Sequence, residues 1–490
     1  MTALSKVRSI AIIGAGPAGL AAAKYLLAEK CFEKIDIFEQ RSKVGGLWNY
    51  SPASDKSGIA TPIPQLSPHQ PVDEPIWHST GKAEAPRAAT FLSPIYQGLE
   101  TNIPKDLMRY SDKPFPSNSQ LFPRFDTVTK YLEEYAEDIS HLIRFENQIL
   151  DVRPENASSS TWSVTRRDLK TGLKETVSYD AVVVANGHYN VPYVPAIEGI
   201  EVWSKAYPGA ISHSKFYDSP EPFRGKKVIV VGNSASGIDI GAQISEVCEG
   251  PLLCSSRSES YLSPGPATDS VECPEIVEFL SPSTHERGVR FADGRIEENI
   301  DAILFCTGYL YSYPFLSSLD PPVVQDGTRT LNVYQHIFYI DRPTIVFPAL
   351  AQKVIPFPIS ENQAAVFARV WSGRLSLPSK AEMRAWEDSM VAEKGAGKAF
   401  HVLPFPRDAD YLNFLYDWAA KAKPQPGLEN AGRGKLGVWW GEKERWMRAH
   451  FPEIKKAFLN KGEQRHSIRT LEEIGFDFEA WKREQERDEP

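Results

Sequence analysis

Residues 9 to 30 read SIAIIGAGPAGLAAAKYLLAEK: a β-branched run, glycines at Gly14, Gly16 and Gly19, then an alanine-rich run. No other stretch constrains the fold as strongly. β-Branched residues favour a strand and alanine and leucine a helix, so the glycines fall at a strand-to-helix join. The G-x-G-x-x-G spacing there serves a tight turn, close approach of the backbone to a diphosphate, and close packing of helix on strand, with Pro17 and Ala18 opening the helix. The diphosphate then rests on the helix N-terminus, where free N–H groups and the helix dipole favour negative charge. KIDIFEQ supplies the next strand, and Glu39 stands 20 residues beyond Gly19 at its end. A carboxylate there accepts from both ribose hydroxyls and repels a 2′-phosphate, so this site is expected to take FAD or NAD rather than NADP. Gln40 follows directly. The block RSKVGGLW, carrying Gly46, Leu47 and Trp48, adds glycines that a bare dehydrogenase does not need and favours a flavin.

The pattern occurs again. KKVIVVGNSASGIDIGAQIS repeats strand, turn and helix through Gly232, Asn233, Ser234, Ala235, Ser236 and Gly237, with Ser234 at the central glycine position. A small residue still permits approach to a diphosphate. Arg257 lies 20 residues beyond Gly237, beside Ser255 and Ser256. A guanidinium binds a phosphate through two N–H groups, so this second site is expected to prefer NADPH. YDAVVVANGHY and IDAILFCTGYLY each read as a buried strand ending in a glycine turn. The expected fold class is α/β: two Rossmann-like dinucleotide-binding domains, with the NADPH domain (206–308) inserted between the first part of the FAD domain (1–205) and its second part with the C-terminal helices (309–490). Asp126 is expected to cap a helix over DTVTKYLEEYAEDI, and ENQAAVFARVWSGRL to form a C-terminal helix. The Pro/Ser-rich tract between Gly58 and Ala89 reads as a surface insert.

Composition narrows the function. At 490 residues the chain exceeds one ordinary core, and 42% of it is apolar. With 55 basic against 63 acidic residues the formal charge is −8, which offers no surface to nucleic acid or anionic lipid. Five scattered cysteines contain no C-x-x-C pair, so neither a zinc site nor a dithiol relay is suggested and a reducing, cytoplasmic setting is expected. The first residues imitate a signal peptide, but cleavage there would destroy the fingerprint. No apolar run approaches ~18 residues, so no membrane span is expected. Two sites of opposite charge preference imply electron flow from NADPH to a bound flavin. Without a dithiol, the acceptor beyond the flavin is oxygen or a diffusible molecule.

GAGPAGL, FEQRSKVGGLW, LETNIPKDLM, ANGHYNVPYVP, YPGAISHSKFY, VGNSASG and FCTGY occur in the order found in the flavin-containing monooxygenase family, and the chain resembles its soluble fungal members over nearly its whole length. The identifying motif F-x-G-x-x-x-H-x-x-x-[FY] is met by Gly209, His213 and Tyr217, with Tyr207 in place of phenylalanine. The resemblance implies FAD, NADPH, oxygen and a small-molecule nucleophile as reactants, a C4a-hydroperoxyflavin as oxygen donor, and N-oxide, S-oxide or hydroxylamine products. It implies Asn102 as the catalytic residue beside flavin C4a, with capping of a turn before Pro104 as the other reading. Gln363 is a candidate for flavin contact, and Tyr207 and His213 for the nicotinamide side. His213 is also read as fixing the linker that sets how NADP⁺ lies over the flavin. Tyr309, His188 and His336 are read as packing residues, and Pro348 in IVFPALA marks a departure from the family's usual glycine. A Baeyer-Villiger oxygenase and an NADPH oxidase releasing hydrogen peroxide remain alternatives. The substrate stays unidentified, and a homodimer is left open.

Overall fold

The computed structural model describes residues 6–56, 62–78, 88–156, 161–258 and 269–488. The chain opens with β1 (Ser9–Ile13), α1 (Pro17–Ala28) and β2 (Lys34–Glu39). β1 pairs in parallel with β2 on one side and with β4 (Ala181–Val184) on the other, and β3 (Ile143–Phe145) extends the sheet beyond β2. Strands covered on both faces read as continuous apolar runs, and Ile10, Ala11 and Ile12 are indeed fully buried. Proline at the first helical position costs α1 no hydrogen bond. Helix α2 (Phe125–Tyr135) starts one residue before the expected cap. Arg124 occupies the cap position, and Asp126 sits in the first turn with its carboxylate accepting from the Thr127 N–H at 2.7 Å, where the helix dipole favours negative charge. An antiparallel meander, Asn147–Pro154, Trp162–Asp168 and Lys174–Tyr179, leads from β3 to β4.

The chain then leaves this unit through Val191–Pro192, which pairs antiparallel with the returning Tyr309–Leu310. Helix α3 (Ile200–Ala206) buries Ile200 and Trp203 among Ile229, Phe279 and Phe305 of the second unit. The crossing therefore lies at this ribbon, ahead of the boundary expected at residue 206. The second unit holds β5 (Ile211–His213), β6 (Val228–Val231), α4 (Ala235–Ser245), β7 (Leu252–Ser255), β8 (Ser270–Cys273) and β9 (Ala302–Phe305). Its sheet runs β5-β9-β6-β7-β8, parallel throughout. A small meander (Ile276–Phe279, Val289–Phe291, Ile296–Glu297) precedes β9, as the larger one precedes β4. The two units thus share one plan. In the Gly58–Ala89 insert, Ile76–His78 pairs with Ala88–Thr90 and Gln65 with Val194, while residues 57–61 and 79–87 lie outside the described part.

After the ribbon, β10 (Val333–Tyr334), β11 (Phe338–Tyr339) and β12 (Ile345–Val346) complete the first sheet, in the order β10-β11-β12-β4-β1-β2-β3. Helix α5 (Pro356–Trp371) is buried over nearly its whole length and shares a core with α1. Helices α6 (Lys380–Lys394), α7 (Arg407–Ala420), α8 (Glu442–Ala449) and α9 (Phe451–Leu459) close the C-terminal side. No helix among the described residues is long and apolar enough to cross a membrane. Just past the ends of α1 and α5, Arg374 meets Glu29 in a two-pronged ion pair, with Nε to Oε2 at 2.7 Å and Nη2 to Oε1 at 2.6 Å. The Ser372 hydroxyl donates to the same carboxylate. Both charged side chains are almost wholly buried.

Removing one partner strands the other charge in the core. Arg374→Met should cost about 3–5 kcal/mol in denaturant unfolding, and the double variant Glu29→Gln, Arg374→Met should recover part of that loss.

Candidate active site

In the first fingerprint the glycines act through space as well as conformation. Gly14 has φ +101°, and a Cβ there would stand 2.5 Å from the Ala185 carbonyl oxygen. A Cβ on Gly19 would overlap the Gly14 carbonyl oxygen, so α1 rests directly on the turn. Gly16 has an ordinary φ of −78°, and its role is clearance. Its backbone faces Gly46, whose own added Cβ would lie 3.0 Å from the Gly16 Cα. Two bare backbones thus form a cradle at the helix N-terminus, which has no side-chain cap and keeps its first N–H groups available to an anion. Pro17 carries the Tyr110 hydroxyl on its carbonyl at 2.8 Å, and Ala18 packs against the core.

Glu39 is buried at the end of β2. Its Oε2 accepts from the Ala15 N–H and its Oε1 from the Arg41 N–H, each at 2.8 Å, and a carboxylate retains lone pairs for ribose hydroxyls. Burial pushes the Glu39 carboxyl above its ordinary value, opposed by those N–H groups and by the Arg41 charge. The Gln40 amide accepts from Gln148 at 3.2 Å, the Leu47 carbonyl from the Ser93 hydroxyl, and Trp48 stands edge-on to Phe357 at 6.5 Å. Asn49 went unnoticed in the sequence. Its Nδ2 donates to the Val44 and Gly46 carbonyls at 3.0 Å, while its buried Oδ1 has no partner. An orphan acceptor beside the cradle, together with the missing Cβ atoms, fits a dinucleotide whose ribityl and ribose groups are donors.

The second fingerprint repeats this geometry. Gly232 has φ +110° with a Cβ 2.6 Å from the Cys306 carbonyl oxygen, and a Cβ on Gly237 would overlap the Gly232 carbonyl oxygen. Ser234 occupies the N-cap of α4 with ψ −172°, close to the −177° of Gly16, and makes no capping bond. The first turn, Ala235, Ser236 and Gly237, therefore also offers N–H groups. Asn233 donates to the Ser258 carbonyl. Arg257 is 76% exposed and meets Glu275 at 2.6 Å, an exposed pairing worth little that a phosphate can displace. Lys398 stands 3.5 Å over the Tyr193 ring and is a second cation here. Loss of water around its ammonium and the Arg257 charge lower its pKa to about 8. It comes from a distant part of the chain and left no sequence signal.

Several expected contacts are redirected. Ser255 is 1% exposed and donates to the Pro274 carbonyl at 2.9 Å, so its hydroxyl is committed inside the unit. Ser256 holds the neighbouring loop through Cys273 and Ser258. Tyr207 packs edge-on to Trp203 at 4.9 Å and its hydroxyl accepts from the Arg287 N–H, which makes it a core residue of the second unit. Gln363 is fully buried; its Oε1 accepts from the Ala349 N–H at 2.7 Å and its Nε2 donates to the Tyr411 hydroxyl at 3.0 Å. It holds the Pro348–Ala349 loop, where Ala349 has φ +60°.

His213 is likewise enclosed. Its Nδ1 accepts from the Lys215 N–H at 3.1 Å, which leaves Nε2 protonated and donating to the Gly308 carbonyl at 3.0 Å. Gly308 belongs to the returning linker, and Tyr309 beside it packs edge-on to His213 at 5.2 Å. The histidine ties the incoming linker to the outgoing one. Gly209, at φ +82° with open space around it, is a glycine for conformation alone. Tyr217 donates to Gln243 on α4 at 3.0 Å. His188 is half-buried with its enclosed Nε2 unpartnered, and His336 shares a 2.9 Å contact with His401 inside an aromatic cluster. Among the described residues no group of side chains could hold a metal ion.

Asn102 is half-buried between Thr101 and Pro104, which are held by the core, and its amide makes no hydrogen bond among the described residues. The one-turn helix Lys105–Met108 that follows has no side-chain cap, so capping is not its role.

Two cradles of opposite polarity on a nested pair of βαβ units define a pyridine-nucleotide-dependent flavoprotein. The flavin-binding monooxygenase-like family matches residues 75–264 and 275–429, and a Rossmann-like NAD(P)-binding domain matches 12–64. The flavin-containing monooxygenase FMO GS-OX-like 4 of Arabidopsis thaliana is 34% identical over 78% of this chain and 80% of its own. The Aspergillus flavus flavin-containing monooxygenase ustF2 is 27% identical over 91% of this chain and 98% of its own. The structure of S-allyl-L-cysteine S-oxygenase from Allium sativum superposes with a TM-score of 0.74 at 28% identity, over 98% of this chain and 99% of that one. The chain belongs to the flavin-containing monooxygenases, and its cofactors are FAD and NADPH.

Gly16→Ala leaves α1 unstrained but fills the cradle; the purified variant should keep its circular dichroism and lose most of its bound FAD absorbance. Gly19→Ala, which collides with backbone, should lose both. Burial pushes His213 down to about 3 from the ordinary value of roughly 6.5. Between those values the unfolded chain takes up a proton that the native one does not, so stability falls by ~1.4 kcal/mol per unit as pH drops below 6.5. His213→Asn should therefore lose less melting temperature between pH 7 and pH 5 than the parent does.

Proposed function

We propose that this monooxygenase transfers one oxygen atom to a soft nucleophilic nitrogen or sulfur of a small molecule, with NADPH and dioxygen as co-reactants. In balance, substrate, NADPH, a proton and O₂ give the N- or S-oxide, NADP⁺ and water. The supporting observation is likeness across the whole chain to an enzyme named for S-oxygenation. Cyclohexanone monooxygenase, at 14% identity and a TM-score of 0.51, shares the fold alone.

Flavin reduced by NADPH supplies the electron pair that activates dioxygen. The chain's residues bind, orient and exclude water. Glu39 and the Gly16–Gly46 cradle hold the first dinucleotide, while Arg257 and the α4 N-terminus hold the second. Asn102 offers a free amide, able both to donate and to accept, at the reacting centre. The aromatic wall of Trp48 edge-on to Phe357, itself stacked on Tyr110, would shield the flavin side of the site from bulk water.

Purified, FAD-loaded protein supplied with NADPH and a thioether or tertiary amine should form the S-oxide or N-oxide. Recovery of all consumed oxygen as hydrogen peroxide would identify an NADPH oxidase, and ester formed from a cyclic ketone with amines untouched would identify a Baeyer-Villiger enzyme. Asn102→Ala should keep flavin reduction by NADPH and cut oxygenated product by at least roughly tenfold, the scale of one lost hydrogen-bond donor at a reacting centre.

A further inference from the structure

The segment from Tyr96 to Asn102 is held at both ends by parts of the molecule that are remote in sequence. At its start, the Tyr96 hydroxyl donates to Asp239 on α4, the helix that opens with the second fingerprint. The Gln97 N–H donates to the Asp218 carbonyl at 3.1 Å. Gly98 runs so close to α4 that a Cβ would stand 3.2 Å from Gln243 Oε1. At its other end, Lys455 of α9 donates from Nζ to the Thr101 carbonyl at 2.9 Å. That ammonium also lies 4.4 Å from the Phe122 ring centroid and 5.4 Å from that of Phe458. Glu100, buried between these anchors, accepts from Gln120 at 3.1 Å and from Arg465 at 3.3 Å, with His466 Nδ1 at 3.3 Å. Asn102, the residue after Thr101, is the one whose amide is left unpartnered among the described residues.

We infer that Lys455 is a positioning residue for Asn102, the far anchor of a strap that links the NADPH-side helix α4 to the reacting centre. The inference rests on the role given to Asn102 under Proposed function. The peptide plane carrying the Thr101 carbonyl also carries the Asn102 nitrogen, so a bond to that oxygen fixes the plane from which the Asn102 side chain departs. A charged donor makes that bond stronger than a neutral one would. Burial lowers the Lys455 pKa to about 8, while Asp239 from α4 and Glu100 from the strap support its charge and Arg465 opposes it. The rings of Phe122 and Phe458 complete its surroundings. The ammonium is thus charged at neutral pH and loses its charge, and with it the stronger grip on Thr101, as pH rises through about 8.

The test uses the full-length, FAD-loaded protein with NADPH and a thioether, and reads hydrogen peroxide formed per NADPH consumed at pH 7 and pH 9. In the parent this share should climb severalfold between the two. Lys455→Met should show the raised share already at pH 7 and little further rise, with FAD content and melting temperature close to the parent's, and Lys455→Arg should restore the parent value at pH 7 and hold it at pH 9. A Lys455→Met variant as tightly coupled as the parent at both pH values overturns the inference. If that variant fails to retain FAD, Tyr96→Phe takes its place, releasing the other end while the Gln243 amide, 3.4 Å away, stays as a donor to Asp239; a raised peroxide share supports the strap and an unchanged one overturns it. A parent that makes only peroxide would sink the proposed function and the strap together, whereas a coupled parent with a coupled variant sinks the strap alone.

Discussion

The structure depends on a contact that almost any side chain would prevent. Twice, the last glycine of a fingerprint lies against the carbonyl oxygen of the first, and a methyl group at either place would occupy that oxygen's volume. Because the helix can come this close, its N-terminus ends at the carboxyl edge of the parallel sheet, where strands β2 and β7 also deliver their terminal side chains. Sheet order, helix placement and the position of the acid or base that reads the ribose all follow from that approach. The two units differ where the chemistry must differ. A buried Glu39 ends one second strand, and an exposed Arg257 lies just past the other.

Around these cradles the molecule commits its remaining polar side chains to fixing geometry. His213 joins two linkers, Gln363 holds a left-handed turn, Ser255 ties down a strand end, and Glu29 with Arg374 locks two helices. Buried polar groups with every hydrogen bond made are rigid supports. Asn49 presents an amide oxygen, and Asn102 a whole amide, that no neighbour among the described residues uses.

What could be read from the sequence was whatever short-range sterics dictate. The glycine spacings, Glu39, the Ser234 substitution and the nesting of one unit in the other are local patterns, and the structure places each of them in the expected element. The roles of Tyr207, Ser255 and Gln363 were not readable. Their partners, Arg287, Pro274 and Ala349, are set by tertiary packing, and a motif marks a residue without saying which way it faces. Asn49 had a faint signal, following the GGLW glycines directly, whereas Lys398 and Lys455 had none. The cap of α2 was misplaced by two residues, at Asp126 instead of Arg124, because an acid in the first turn and an acid at the cap look alike in sequence.

The ribbon of Val191–Pro192 against Tyr309–Leu310 gives the inserted unit an unusual mechanical standing. Its two ends leave the parent sheet side by side, hydrogen-bonded to each other, so they act as one axle rather than two tethers. Torsion about that axle is resisted away from the ribbon, where Tyr96 and Gly98 of the first unit meet Asp239 and Gln243 of α4. The same adjacency gives the inserted unit its entry and exit at one place, so other contacts with the first unit, Tyr96 to Asp239 and Lys56 to the Tyr217 carbonyl among them, are made by side chains and not by chain crossings.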